Sequence, residues 1–243
     1  MGRRRHHPHS PPVVVPATVT KIMQELAVRS DREIAVGLGL QGEQWLASFY
    51  KGEKETVYPP EGFDLTGHCH PRALYGDVPY NAPTGTDCML LNDVNRSEIV
   101  YDAHGTWVVT PNRALLDWWQ TEKPDKAHQQ DVLAAIQNNA SIDGTHLAQG
   151  QITLEQYKHN MAICVDGESK GFDVEYYPGV QAIPVKASRV CRWTEYAPSA
   201  AQSARATLRP LPDPTQAVSA ILAAQPRWAV LQVFSKYSQR VDV

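Results

Sequence analysis

Long apolar runs are missing from this chain. No stretch of its 243 residues approaches the roughly 18 consecutive apolar positions of a membrane-spanning helix, so membrane insertion is not expected. Cysteine is scarce: four residues and no CxxC pair, which offers neither a disulfide framework nor a zinc ribbon. A large excess of one charge is also lacking. The net charge is −3, which argues against a general binder of polyanions and makes nucleic acid an unlikely partner. The opening Met1-Gly2-Arg3-Arg4-Arg5 is not followed by the apolar core of a signal peptide, since Val13-Val14-Val15 stops at Pro16. A cytoplasmic location is therefore expected.

What is present suits a globular protein: 42% hydrophobic and 20% charged residues, with 15 Gly and 18 Pro. The chain is long enough to bury a core without staples. Residues 1–15, rich in Arg, His and Pro, read as a disordered tail; residues 16–195 as the main domain; 196–214 as a Pro/Ala-rich linker; and 215–243 as a helical C-terminal extension. Within the domain, Val19, Ile22, Met23 and Leu26 fall on one helical face. Glu33 to Leu40 and Gln44 to Lys51 read as a β-hairpin, and Phe63 to Gly67 as a strand. Ile99–Tyr101 and Thr106–Val109 form a second hairpin pattern. Helices are predicted over Gly85–Leu91 with Thr84 as N-cap, over Asn112–Gln120 and Pro124–Asn138, and from Thr153. Ile163–Val165, Phe172–Tyr176 and Val180–Val190 read as extended. The fold class is α/β (α+β).

The residues that carry chemistry are few. His68 and His70 end a predicted strand, where alternation sends both imidazoles to one side, able to share one metal ion. A lone His-x-His arises often by chance, and a packing role competes with a ligand role. Asp87, in Thr84-Gly85-Thr86-Asp87, could complete a two-histidine, one-carboxylate set that leaves a position for water. Cys69, between the histidines, is expected to face away and pack in the core, as is Cys88. His104 falls in a hairpin turn, and His128, His146 and His159 have no partner at ligand spacing, so all four read as surface residues. Trp118 and Trp119 read as packing residues.

Taken in order, a helix, Glu33 opening an apolar hairpin, a strand running into Gly67-His68-Cys69-His70-Pro71, a loop and Thr84-Gly85-Thr86-Asp87 resemble the JAMM (JAB/MPN-type) metalloprotease domain. The resemblance covers about residues 16–112. It implies a mixed central sheet flanked by helices, Zn²⁺ held by His68, His70 and Asp87, Glu33 as proton acceptor, and Thr84 as a donor to the oxyanion. The implied activity is hydrolysis of a peptide or isopeptide bond by a metal-activated water, with a protein or peptide substrate of which a ubiquitin-like one is an example. Two departures stand out: Thr84 replaces the usual Ser, and the 16 residues between His70 and Asp87 make a longer loop than the family's. A competing reading keeps the fold but makes it a non-catalytic structural or binding subunit of a larger assembly, reached through the termini.

Overall fold

The computed structural model describes residues 13–41, 44–54, 57, 65–85, 87–88, 97–122, 126–165, 167–185 and 213–223. Residues 1–12, most of the 196–214 linker, the chain after 223, the Gly42 turn and residues 89–91 of the predicted helix lie outside them. Among the described residues, no helix is long and apolar enough to cross a membrane.

The chain runs β1 (Val13–Val15), α1 (Ala17–Arg29), β2 (Ile34–Gln41), β3 (Gln44–Lys51), β4 (Leu65–Cys69), α2 (Arg72–Tyr75), β5 (Glu98–Tyr101), β6 (Gly105–Pro111), α3 (Arg113–Glu122), α4 (Lys126–Ala148), α5 (Leu154–Ala162), β7 (Phe172–Pro178), β8 (Ile183–Val185) and α6 (Pro214–Ala223). Six strands form one mixed sheet in the order β3-β2-β4-β5-β6-β7. Its neighbouring strands are antiparallel except β4 and β5, which run parallel. The fold is thus mixed α/β, with helices on both faces of the sheet.

Alternation along the strands decides which residues face which layer. Val36, Leu38, Cys69, Ile99, Tyr101 and Val108 share one core with Val19, Ile22, Met23 and Leu26 of α1 and with Ala217, Val218 and Ile221 of α6. Burying each large side chain of that α1 stripe contributes about 1.5–3 kcal/mol, which is what fixes the helix to the sheet. The opposite face carries Val100, Trp107 and Val109 against Leu115, Ile136, Tyr157 and Met161 of α3, α4 and α5. Helix α5 is started by a capping box in which Thr153 and Gln156 satisfy each other's backbone N–H groups.

Several boundaries differ from the sequence reading. Val13–Val15, assigned to the tail, pair antiparallel with β8, and Val15 is fully buried. Helix α4 continues ten residues past Asn138, to Ala148. Ile163–Val165 is the turn that follows α5, with Ile163 as the helix C-cap, and a single bridge between Val165 and Lys170 rather than a strand. Of the stretch expected to be extended over Val180–Val190, residues 186–190 lie outside the described residues, and before them only Ile183–Val185 is strand, after a turn with Gly179 at φ 65°.

Candidate metal centre

The site lies on the sheet face covered by α3–α5, at the carboxyl end of β4. Ala35 stands directly opposite His68 in the β2–β4 ladder, so continuing that register brings Glu33 opposite His70. The Glu33 backbone is fixed from the other side: its N–H donates to the Lys54 carbonyl and its carbonyl accepts from Gly52 N–H. His70 is held by its N–H, which donates to the Tyr101 carbonyl and extends the β4–β5 pairing by one residue. Gly67 is required there. A Cβ at that position would sit 2.6 Å from the Ile99 carbonyl oxygen, too close for any side chain.

Asp87 arrives from the loop after α2. Its backbone N–H donates to the Thr84 carbonyl, while Oδ2 accepts from Thr84 N–H at 2.6 Å and from Thr84 Oγ1–H at 3.0 Å. This closed turn is pressed on α4, where a Cβ on Gly85 would lie 2.2 Å from Gln137 Cα. The start of the loop is tied to the β5–β6 turn: Asp102 accepts from Asn81 N–H, Gly105 N–H and the Trp107 indole N–H. Gly85, Asp87 and Cys88 make a turn at the start of the predicted helix.

These segments place three buried groups together. Glu33, His68 and His70 each offer a ligand atom within 4.8 Å of the others, and they are 6%, 6% and 1% exposed. His68 Nε2 and His70 Nε2 are 3.2 Å apart. Asp87 spans both, with Oδ1 3.1 Å from His68 Nε2 and Oδ2 3.3 Å from His70 Nε2. Two nitrogens on one tetrahedral ion with bonds of about 2.0–2.1 Å stand about 3.3–3.4 Å apart, so the imidazole spacing fits a shared metal ion. The donor set, two imidazoles with carboxylates, suits a first-row divalent ion.

A third carboxylate, which the sequence does not single out, completes the surroundings. Glu98 Oε1 is 3.0 Å from His68 Nδ1, and Thr66 Oγ1–H donates to its Oε2. An ionised Glu98 only accepts, so the proton stays on Nδ1 and Nε2 is turned to the cluster, the arrangement by which carboxylates orient metal-binding histidines. Tyr75 of α2 also joins: its O–H donates to Glu33 Oε1 at 2.5 Å and its ring stacks on His70. Glu98 carried a local signal, since it shares the period-two face of Val100, but only the unforeseen β4–β5 pairing puts it beside His68. Tyr75 ends the short helix α2, in a stretch whose Gly and Pro content reads as loop, and the sequence carries no signal for it.

Charge follows from this crowding. Burial opposes a charge on His68, yet Asp87 and Glu98 outweigh it and hold the imidazole well above its usual value. Burial likewise opposes the Asp87 carboxylate, which His68 and His70 nevertheless keep well below the ordinary range. Glu98 goes the other way, raised by burial despite His68. A proton on His68 Nε2 and a cation among the same groups are thus competing ways to neutralise the cluster.

The structure brings together the expected Glu33, His68, His70 and Asp87, with one change in what Thr84 does. Its single hydroxyl proton is committed to Asp87, so it holds a carboxylate rather than facing an oxyanion. Cys69 and Cys88 are buried on opposite sides of the sheet, as packing residues. His104, His128 and His159 are exposed and His146 half-buried, while Trp118 and Trp119 pack in or against the α3–α5 core. Comparison with family models, with curated proteins and with solved structures finds no match to this chain.

Proposed function

We propose that this chain is a zinc-dependent peptidase or isopeptidase of JAMM type. The observation that carries the reading is the convergence of Glu33, His68 and His70 in one buried cluster, with Asp87 lying against both imidazoles. It is supported by the order of the elements, from α1 through the Glu33-led hairpin and the Gly-His-x-His-Pro strand to the Thr84–Asp87 turn.

In this reading His68, His70 and Asp87 hold Zn²⁺. Such an ion, when bound, supplies Lewis acidity, polarising a carbonyl and bringing the pKa of water from 15.7 to about 7. The chain's residues do the rest. Glu33 would take the proton that the attacking water gives up and return it to the leaving amine. Glu98 keeps His68 in one tautomer. Thr84 fixes Asp87. Walls formed by the sheet and α4 exclude water and strengthen each of these interactions. The substrate is a protein or peptide, a ubiquitin-like conjugate being one candidate, and the compartment is cytoplasmic.

Metal content tests the first half. Purified protein should hold one equivalent of zinc, and the double variant His68→Ala, His70→Ala should hold none; wild type refolded with zinc that stays metal-free ends the reading. A second reading has its own observation. The Tyr75 hydroxyl occupies one oxygen of Glu33, as expected of a metal-holding subunit that does no chemistry and serves a larger assembly. Glu33→Gln decides between them: an enzyme keeps its zinc and loses hydrolysis by about 10²–10⁴-fold, whereas a scaffold has no hydrolysis to lose.

A further inference from the structure

The two imidazoles of the cluster are not held alike. His68 has its Nδ1 fixed by Glu98 at 3.0 Å. Among the described residues, the buried His70 Nδ1 has no hydrogen-bond partner. A metal-binding histidine ordinarily uses that nitrogen to lock its ring, because rotation about the Cβ–Cγ bond swings Nε2 away from the ion. Among the described residues, nothing polar does this for His70.

An aromatic ring stands in that place. Tyr75 lies parallel to His70, with ring centroids 4.6 Å apart and planes inclined by 25°. The Tyr75 ring is itself anchored at its far end, where the hydroxyl donates to Glu33 Oε1. Its helix α2 is a single surface turn with no buried residue, so the backbone there does little to aim the side chain. The hydroxyl–carboxylate contact ties the ring in its place over the imidazole.

We infer that Tyr75 is the positioning residue of His70: its face fixes the imidazole plane, and its hydroxyl, tied to Glu33, fixes the face. This rests on the metal reading given above and adds a residue to it. The loop that lengthens the spacing between His70 and Asp87 then has a task, since it delivers Tyr75. A flat ring can hold a neighbour's plane without accepting its proton, so the loop offsets the lack of a carboxylate for His70. Glu33 is restrained by the same contact.

Co²⁺ titration of the full chain, followed by visible absorption, tests this without any substrate. Tyr75→Phe keeps the stacked face and loses the anchor; Tyr75→Leu loses both. Affinity should fall in the order wild type, Tyr75→Phe, Tyr75→Leu, the last by about 10–100-fold, the usual effect of removing a group that orients a metal-bound histidine. The absorption of the Tyr75→Leu complex should broaden as His70 samples several orientations. Tyr75 is half-buried, and circular dichroism should show all variants folded. Tyr75→Leu binding Co²⁺ as tightly as wild type overturns the inference while leaving the metal centre standing. Tyr75→Phe as weak as Tyr75→Leu also overturns it, because the ring would then contribute nothing. Wild type that takes up no Co²⁺ overturns the metal reading and this one with it.

Discussion

Glu98 offers the sharpest quantitative test of the site. It is 3% exposed, and its contacts are the imidazole Nδ1 of His68 and the hydroxyl of Thr66. Glu98→Gln keeps an acceptor in the same place, so the tautomer survives, but the negative charge that makes His68 a stronger ligand is lost. Glu98→Leu removes the acceptor as well. A buried N–H left without a partner costs about 1–3 kcal/mol, and His68 can avoid that cost only by turning or by moving its proton to Nε2, either of which spoils ligation. Changes in such orienting groups weaken metal binding by about 10–100-fold, or 1.4–2.8 kcal/mol. Glu98→Gln should sit near the lower limit and Glu98→Leu near the upper. Zinc affinity measured by competition with a chromophoric chelator reads the difference directly. Because burial disfavours the Glu98 charge, the metal-free Glu98→Gln protein should be at least as stable as wild type, so weakened binding is not a by-product of unfolding. Wild-type zinc affinity in Glu98→Leu would refute the reasoning.

Protons and metal should have opposite effects on stability. His68 is raised above 6.5 in the folded chain, so its contribution is complete below that pH and is lost as pH climbs through the folded value; Asp87, lowered below 3.8, contributes above that pH and is lost on acidification. The metal-free protein should therefore melt at its highest temperature on the mildly acidic side and lose stability above neutrality, while saturating zinc removes the alkaline decline; a melting temperature that rises with pH in the metal-free protein would contradict this. Gly85→Ala should destabilise by about 1–3 kcal/mol in urea melts, since its Cβ meets the α4 backbone, which cannot yield cheaply. Burial pushes the thiols of Cys69 and Cys164 to about 12 and that of Cys88 well up. A thiol reagent at pH 8 should thus label none of the three until denaturant is added, with peptide mass spectrometry as the readout.

Much of the fold was legible where the governing interactions are short-range. The α1 stripe, the two hairpins and the α5 start at Thr153 follow from periodicity, turn chemistry and capping that act within a few residues. His68 and His70 were legible for the same reason, because alternation on a single strand is enough to pair them. Partners distant in sequence escaped. Val13–Val15 look like part of a polar tail until β8 is known to lie beside them, and Glu98 looks like a strand edge until β5 is placed against β4. Thr84 is expected from the resemblance to donate to an oxyanion, yet its hydroxyl proton goes to the Asp87 carboxylate, a choice that depends on the charge assembled around Asp87. Tyr75 ends a single helical turn inside a Gly- and Pro-containing connection, too short for any periodicity to mark it.

The pairing of β4 with β5 bears on how the site comes into being. Antiparallel neighbours such as β2–β3 and β5–β6 need only a short turn and close within microseconds. A parallel pair must wait until its whole connection has been looped back, and here that connection carries Tyr75, Thr84 and Asp87. The cluster therefore assembles late in folding, after the hairpins that will frame it, and a chain still lacking it can already have most of its sheet. A cation that binds only the finished arrangement would leave the early folding rate untouched and slow unfolding instead, acting as a lock closed after the door is hung.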